Sequence, residues 1–162
     1  NSTEPNIGLK LNLDRSYLKC YLGDTGLLVS HAFDENELSA EGVHRRILFD
    51  KLEFNAGMLV ENVVAQMLTA NGRKLYFHMQ KSKDEAKNRM EVDFLIAKSK
   101  VQRRKNISAI EVKSGKNYTL GSLSKCCEKY GQYIDVPYVL HSKDVKVENG
   151  ITYLPLYMTP CL

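Results

Sequence analysis

The pattern of hydrophobic and polar positions predicts two well-defined helices. In residues 55–70 apolar side chains cover most of a helical circumference, with Asn55 as the candidate N-cap. Asn71-Gly72 then ends that helix, because glycine tolerates the left-handed backbone that often follows a last turn. Residues 120–130 carry a second helical pattern, which stops at Gly131. Each helix presents an apolar surface that has to be buried.

Between and after these helices the period changes to two, which is typical of strands. Strands are predicted at residues 74–79, 90–97, 107–113 and 136–141, after a short strand-like segment at 17–22. Asn149-Gly150 supplies the two positive φ angles of a type I′ turn between residues 145–147 and 151–154. Shorter helices are predicted over residues 27–31, capped by Asp24 or Thr25, and around residues 43–52. The order α-β-β-β-α-β with a terminal hairpin predicts an α/β fold, in which a mixed central β-sheet has helices on both faces.

Length and composition indicate one domain. A chain of 162 residues that is 43% hydrophobic fills one core and is too short for two ordinary domains. We divide it into a lead-in with a helical segment, residues 1–54, packed on a core at 55–162. No stretch approaches the roughly 18 apolar residues of a membrane span. The chain begins at Asn1 without a leader, so we expect a C-terminal fragment of a longer, cytoplasmic protein.

The cysteines and the net charge say little about function, but one local cluster of basic residues says more. The four cysteines, Cys20, Cys126, Cys127 and Cys161, form no C-x-x-C pair, which favours free thiols over structural zinc. The net charge of +4 does not identify a partner. A basic group is more suggestive, and its members are Lys98, Lys100, Arg103, Arg104 and Lys105. We expect this loop to flank a DNA-facing cleft beside the carboxylates described next; the alternative is a solvated turn.

Acidic residues fall on one face of the second predicted strand. Alternation places Glu91 and Asp93 on that face, and the other face carries Val92, Phe94 and Ile96. By itself this pattern is also that of a strand whose polar face carries ion pairs.

The next predicted strand repeats the arrangement. Glu111 and Lys113 share one face, with Ile110 and Val112 on the other. If the two strands pair as a hairpin through the basic loop, Asp93, Glu111 and Lys113 lie within about 5 to 8 Å of one another.

A third carboxylate comes from the long helix. Glu61 interrupts an apolar stripe that includes Met58, Ala65 and Leu68. Burying a lone glutamate there costs a few kcal/mol unless a charged partner awaits it. Two carboxylates about 4 Å apart repel by roughly 4 kcal/mol at an effective dielectric near 20, and one lysine cannot offset three of them. Oxygen ligands without His or Cys favour Mg²⁺ or Mn²⁺.

Glu61, Val92-Asp93 and Glu111-Val112-Lys113 in this element order resemble the PD-(D/E)xK nuclease superfamily, with its restriction-endonuclease-like fold. Val92 replaces the proline of that motif, and Cys126 stands where the RecB branch has glutamine. A second resemblance covers nearly the whole chain. Residues 21–28, 57–64, 91–96, 109–115 and 155–162 resemble the C-terminal domain of unknown function that follows an AAA-type ATPase core in many bacterial and archaeal ATP-binding proteins.

These resemblances imply roles for named residues. Asp93 and Glu111 would be metal ligands, with the Val112 carbonyl and Glu61 completing the set. Lys113 would position the attacking water and stabilise charge on the phosphate. The catalytic residues would therefore be Asp93, Glu111, Lys113 and Glu61, with Mg²⁺ or Mn²⁺ as the cofactor.

The implied partners are DNA and an ATPase domain in the same chain. ATP would bind only in that N-terminal portion, since no G-x-x-x-x-G-K-[ST] motif occurs here. We therefore expect a Mg²⁺-dependent nuclease-like module of an ATPase. The alternative is a noncatalytic module of the same fold that binds nucleic acid or protein and regulates the ATPase. The sequence leaves a homo-oligomer open.

Overall fold

The computed structural model describes residues 1–6, 8–32, 56–81, 89–98, 105–115 and 117–162. Its α-helices are α1 (Thr25–Ala32), α2 (Ala56–Ala70) and α3 (Gly121–Tyr130). Its strands are β1 (Tyr76–Gln80), β2 (Met90–Ala97), β3 (Ile107–Val112), β4 (Ile134–His141), β5 (Lys146–Glu148) and β6 (Ile151–Pro155), and a 3-10 helix follows at Leu156–Cys161. The helix predicted around residues 43–52 and the N-cap Asn55 lie outside the described residues.

The strands form one mixed sheet in the order β1-β2-β3-β4-β6-β5. The first three strands are antiparallel neighbours, and β4 is parallel to both β3 and β6. The hairpin of β5 and β6 closes the far side. The mixed sheet with helices against it, and the α-β-β-β-α-β order with its terminal hairpin, are as predicted from the sequence.

Local signals account for the ends of several elements. Asn149 and Gly150 both have positive φ, 51° and 75°, as the type I′ turn requires. Gly72, with φ of 74°, ends α2. Asp24 caps α1, because its Oδ1 accepts a hydrogen bond from the Leu27 amide at 2.9 Å.

Each face of the sheet carries its own apolar core. One core joins α3 to the sheet and contains Val92, Leu95, Ile107, Ala109, Leu123, Cys126 and Val139. The other joins α2 to the opposite face and contains Val64, Ala65, Leu68, Phe94, Ile96, Ile110 and Leu140. The described helices α2 and α3 therefore cover opposite faces, which is the layered arrangement that the sequence predicts.

The predicted alternation along β2 is wrong at one point. Val92 packs in the α3-side core, whereas Phe94 and Ile96 pack in the α2-side core. The cause is a bulge: Tyr76 pairs with Leu95 and His78 with Val92, so two steps along β1 correspond to three along β2. The extra residue turns the second half of β2 over.

The segment at residues 17–22 is not the strand that was predicted, since it has no regular secondary structure. Its end is held by side chains of α2 instead of by a neighbouring strand. Asn62 accepts a hydrogen bond from the Leu22 amide at 2.9 Å and donates to the Leu22 carbonyl at 3.1 Å. Asn62 also donates to the Thr25 hydroxyl at 3.0 Å, so one buried amide anchors the start of α1 as well.

The first residues lie along the outer edge of the sheet. The Ser2 amide donates to the Phe77 carbonyl at 2.7 Å, and the side chain of Asn1 bonds both the amide and the carbonyl of Met79. His78, buried in β1, has its Nδ1 2.7 Å from the Ser2 carbonyl oxygen. In the part of the chain that the structure describes, no helix has the length and apolar character needed to cross a membrane.

Candidate functional site

An open cleft of about 610 Å³ lies where the lead-in crosses the N-terminal half of α2 and the adjoining ends of β2 and β3. Four carboxylates and two lysines line it: Glu61, Glu91, Asp93, Glu111, Lys19 and Lys113. With all of these groups ionised, the carboxylates exceed the ammonium groups by two charges. We call this set the carboxylate cleft.

Lys19 occupies the middle of the carboxylate cleft. Its Nζ lies 2.9 Å from Glu91 Oε1, 3.0 Å from Glu61 Oε1 and 3.5 Å from Asp93 Oδ1. Only 19% of its side chain is exposed. Burial alone would lower the pKa of the ammonium, but the negative charges of Asp93 and Glu61 outweigh burial and raise it. Lys19 is therefore a fixed positive charge among three carboxylates.

Tyr21, two residues after Lys19, reaches the same carboxylate. Its hydroxyl donates to Glu61 Oε1 at 2.6 Å, and its ring packs on Phe94 at 5.6 Å between centroids. Burial, followed by this hydrogen bond, raises the pKa of the phenol. The Asn62 clamp on Leu22 positions both side chains. Glu61 thus has the charged and polar partners that its place in an apolar stripe requires.

Asp93 lies where β2 and β3 separate. The last pair between these strands is Phe94 with Ile110, and beyond it the Val112 amide donates to Asp93 Oδ2 at 2.9 Å. Burial raises the pKa of the Asp93 carboxyl to about 6. The Val112 hydrogen bond and the charge of Lys19 oppose that rise, while Glu61 and Glu111 add to it. Asp93 is therefore partly protonated just below neutral pH.

Glu111 is the most buried acid of the cleft, with 5% of the residue exposed. Lys113 Nζ donates to its Oε1 at 2.6 Å, whereas its buried Oε2 has no hydrogen-bond partner among the described residues. Glu111 also acts electrostatically on Cys126 of α3. Burial, followed by Cys127 and Glu111, raises the pKa of the Cys126 thiol to about 12.

The structure brings the residues that were predicted to hold a metal ion, together with Lys113, to one cleft. Glu61 and Asp93 contact the same lysine nitrogen, and Glu111, Val112 and Lys113 line the same space. We predicted that Glu61 lies near Asp93, and that proximity is observed.

Sequence reasoning missed two residues from the lead-in. Lys19 and Tyr21 were assigned to a strand of their own, and Glu91 was placed on the right face without being counted in the site. The available signal was the i, i+2 spacing of Lys19 and Tyr21. That spacing puts an ammonium and a phenol on one side of an extended segment.

The described ends of the basic loop lie away from the carboxylate cleft. Lys98 follows the end of β2 and Lys105 precedes β3, whereas Asp93 is near the start of β2. Lys98 is five residue steps along the chain from Asp93, which is roughly 16 Å at the usual rise of a strand. The expected position beside the carboxylates is therefore wrong for the described ends of the loop. Lys98 forms an ion pair with Asp135.

The remaining three basic residues, Lys100, Arg103 and Arg104, lie outside the described residues. The physical reason for the misplacement is the direction of the hairpin. The loop joins the end of β2 to the start of β3, and the carboxylates sit at the other end of both strands.

The donor chemistry of the cleft suits a hard divalent cation, but its arrangement holds an ammonium. Carboxylate oxygens and the Val112 carbonyl are ligands of the kind that Mg²⁺ and Mn²⁺ prefer. Among the residues that the structure describes, no group of three or more His, Cys, Asp or Glu side chains is arranged to hold a metal ion. Lys19 instead lies between Glu61, Glu91 and Asp93.

A family model described as Domain of unknown function (DUF4143) matches residues 56–159, which is more than half of the chain. The chain belongs to the DUF4143 family. No curated protein and no solved structure matches it significantly. The DUF4143 match includes Glu61, Asp93 and Glu111, whereas Lys19 and Tyr21 lie before its first residue.

Proposed function

We propose that this DUF4143 domain is a Mg²⁺-dependent nuclease module with a restriction-endonuclease-like fold, which hydrolyses phosphodiester bonds in DNA. One observation carries the proposal: Glu61, Asp93, Glu111 and Lys113, from three separate elements, line one open cleft. An acidic cluster with an adjacent lysine is the arrangement that metal-assisted phosphodiester hydrolysis uses.

In this proposal Asp93, Glu111 and Glu61, with the Val112 carbonyl, hold the ion. A bound Mg²⁺ or Mn²⁺ would supply Lewis-acid polarisation of a phosphate oxygen and a more acidic water. Lys113 lines the same cleft, with 22% of its side chain exposed. In this proposal its ammonium orients water and stabilises a phosphate oxygen. The ion would bind where Lys19 now contacts two of its proposed ligands.

The proposal extends to the rest of the protein. We infer that an AAA-type ATPase domain precedes this module in the same chain, because of the resemblance of residues 21–28 and 155–162 to such C-terminal domains. DNA is the proposed substrate. The proposed phosphate-binding residues belong to the sequence segment between β2 and β3, and they are Lys98, Lys100, Arg103, Arg104 and Lys105.

A noncatalytic module of the same ATPase is the second candidate, and Lys19 favours it. A lysine that contacts three carboxylates offsets part of their repulsion without any metal ion. On this reading the cluster is an internal ion-pair network, and the domain binds nucleic acid or protein and regulates the ATPase.

Cleavage assays separate the two candidates. The purified domain is incubated with linear, supercoiled, branched and single-stranded DNA in Mg²⁺ or Mn²⁺, next to Lys113→Ala, Asp93→Ala and the surface control Lys146→Ala. Lys146 pairs with Glu148 away from the cleft, so its loss controls for the removal of one lysine. We expect Lys113→Ala to keep ion binding and lose cleavage by orders of magnitude.

Asp93→Ala should lose ion binding and cleavage together, because it removes a ligand. If neither the domain nor the full-length protein with its ATPase cleaves any of these DNAs, the regulatory candidate is the better one.

Salt dependence tests the nucleic-acid arm of the proposal separately. Neutralising Arg103, Arg104 and Lys105 should reduce the slope of log affinity for duplex DNA against log salt by about 0.9 for each phosphate that the loop no longer neutralises. An unchanged slope would make the loop a solvated turn.

A further inference from the structure

We propose that Lys19 is a tethered cation of the carboxylate cleft, which a divalent ion has to displace in order to bind. The proposal rests on the proposed function only in that the same carboxylates take a divalent ion. It assigns to the lead-in a direct part in the site, although the lead-in precedes the segment that the DUF4143 family model matches.

The contacts of Lys19 support mutual exclusion. Two of its three carboxylate partners, Glu61 and Asp93, are proposed ligands, and Lys19 Nζ lies within 3.5 Å of an oxygen of each. Mg²⁺ binds carboxylate oxygen at about 2.0 to 2.1 Å and keeps several waters, so it requires the space between these two groups. An ammonium and a hydrated ion cannot share that space.

A second observation, at Glu111, supports a further cation in the cleft besides Lys19. Glu111 lines the same cleft and is 5% exposed, and its Oε2 has no hydrogen-bond partner among the described residues. A buried carboxylate oxygen without a partner costs free energy that a bound cation would recover. Lys113 is engaged with Oε1 of the same group, and Lys19 contacts the other three acids of the cleft.

The lead-in is built so that the Lys19 side chain can leave while its backbone stays. The backbone anchor is at Leu22, where Asn62 bonds both the amide and the carbonyl, and the Tyr21 ring packs on Phe94. Lys19 precedes these anchors in a segment without regular secondary structure, and its neighbours Leu18 and Cys20 are exposed. Rotation of the four-carbon stem is enough to release the ammonium.

Ion binding measured by calorimetry tests the proposal. Lys19→Met keeps the apolar stem and removes the ammonium, and we expect it to bind Mn²⁺ at least about tenfold more tightly than the wild type. Lys19→Arg keeps the charge and should show no gain. Lys113→Met is the matched control, because it also removes one positive charge from the cleft, whereas Lys113 pairs with Glu111 and, among the described acids of the cleft, Lys19 pairs with the other three. If Lys113→Met gains less Mn²⁺ affinity than Lys19→Met, the gain comes from removing the ammonium that the ion has to displace. It does not come from the general change in charge of the cleft.

The wild-type protein provides a readout that does not depend on the fold of a variant. The ¹⁵N signal of the Lys19 ammonium is followed by NMR as Mg²⁺ is added, and we expect the ion-paired signal to be lost as the ion binds. A Lys19 signal that stays unchanged in a protein that binds Mg²⁺ overturns the proposal.

The outcomes distinguish this proposal from the proposed function. Equal Mn²⁺ affinity of wild type and Lys19→Met overturns the tethered cation and leaves the metal site standing. Tighter binding by Lys19→Met, in a protein that cleaves no DNA, supports the tethered cation and counts against the nuclease. If neither protein binds Mg²⁺ or Mn²⁺, the tethered cation and the metal site are both wrong.

Discussion

The two halves of α2 are packed in opposite ways. Val64, Ala65 and Leu68 in its C-terminal half are fully or almost fully buried against the sheet. In the N-terminal half Met58 is 42% exposed and Glu61 faces an open cleft with charged partners. One half of a single helix therefore contributes apolar burial, while the other holds a carboxylate whose charge has to be compensated.

The C-terminal half of α2 therefore contributes to the stability of the fold, and the N-terminal half contributes a side chain to the candidate site. Apolar burial stabilises the fold by roughly 25 cal/mol for each Å² removed from water. Clustered carboxylates destabilise it, since their repulsion is only partly offset by Lys19 and Lys113. Sites that depart from the rules of good packing and charge balance are where function is expected.

The largest effect is expected in the apolar half. Leu68→Ala should lower the free energy of unfolding by about 3 to 4 kcal/mol, because it removes a fully buried side chain and leaves a cavity. Met58→Ala, on the exposed side of the same helix, should cost less than about 1 kcal/mol. Urea unfolding of both variants measures the difference. Equal losses would mean that the two halves of α2 do not differ in their contribution to stability.

The next effect has the opposite sign. Asp93→Asn should stabilise the metal-free protein at pH 8 by about 2 to 3 kcal/mol, because the substitution mimics the protonated carboxyl that the site prefers. The Asp93 pKa is raised from 3.8 to about 6, and each pKa unit corresponds to about 1.4 kcal/mol.

The pH dependence follows from the direction of that shift. The folded-state pKa of Asp93 lies above the unfolded one, so its favourable contribution is complete below about pH 4 and is lost as the pH rises through 6. The gain from Asp93→Asn should therefore be much smaller at pH 4 than at pH 8. Thermal unfolding at the two pH values checks this, and a gain of equal size at both would contradict the raised pKa.

Asn62→Ala tests the clamp between α2 and the lead-in. We expect a loss of about 2 kcal/mol, since the Leu22 amide and carbonyl and the Thr25 hydroxyl lose a buried partner together. Hydrogen exchange at residues 19–25 should speed up while β3 stays protected. Gln66→Ala is the matched control, because Gln66 bonds the same segment from a less buried position. Unchanged exchange in Asn62→Ala would show that the lead-in is held by other contacts.

The smallest effect concerns Tyr21. Tyr21→Phe removes the hydroxyl that donates to Glu61 at 2.6 Å and keeps the ring on Phe94. The loss should be about 1 kcal/mol, since the cleft is open and water can replace the hydroxyl. Chemical unfolding measures it, with Tyr157→Phe at a 75% exposed position as the control. A loss above about 3 kcal/mol would mean that this hydrogen bond, and not the apolar half, secures α2.

Local patterns predicted most of the fold because each signal acts over a few residues. Asn149-Gly150 determines a turn by its backbone angles, and the period of apolar residues locates α2, β2 and α3 to within one or two residues. Glu61 was also predictable, since a carboxylate in an apolar stripe requires a partner.

The identity of that partner depends on tertiary contacts that no local pattern contains. Lys19 is 42 residues from Glu61 along the chain, and the contacts that bring it to the cleft include the Asn62 hydrogen bonds to Leu22 and the packing of Tyr21 on Phe94. The predicted face of Val92 was wrong for a related reason, because the bulge in β2 arises from its pairing with β1. Lys98 and Lys105, the described ends of the basic loop, were misplaced because the direction of the hairpin was not followed to the ends of β2 and β3.

The two outermost strands determine whether a second molecule can extend the sheet. An open edge offers unpaired amides and carbonyls to any extended chain, which is a common route to aggregation. On the β1 side Asn1 and Ser2 bond Phe77 and Met79, so part of that edge already has hydrogen-bond partners. On the β5 side the edge strand has only three residues, two of them the ion-paired Lys146 and Glu148. Breaking the contacts of Asn1 and Ser2 with β1 would therefore uncover the longer edge and make the protein more prone to fibril-like self-association.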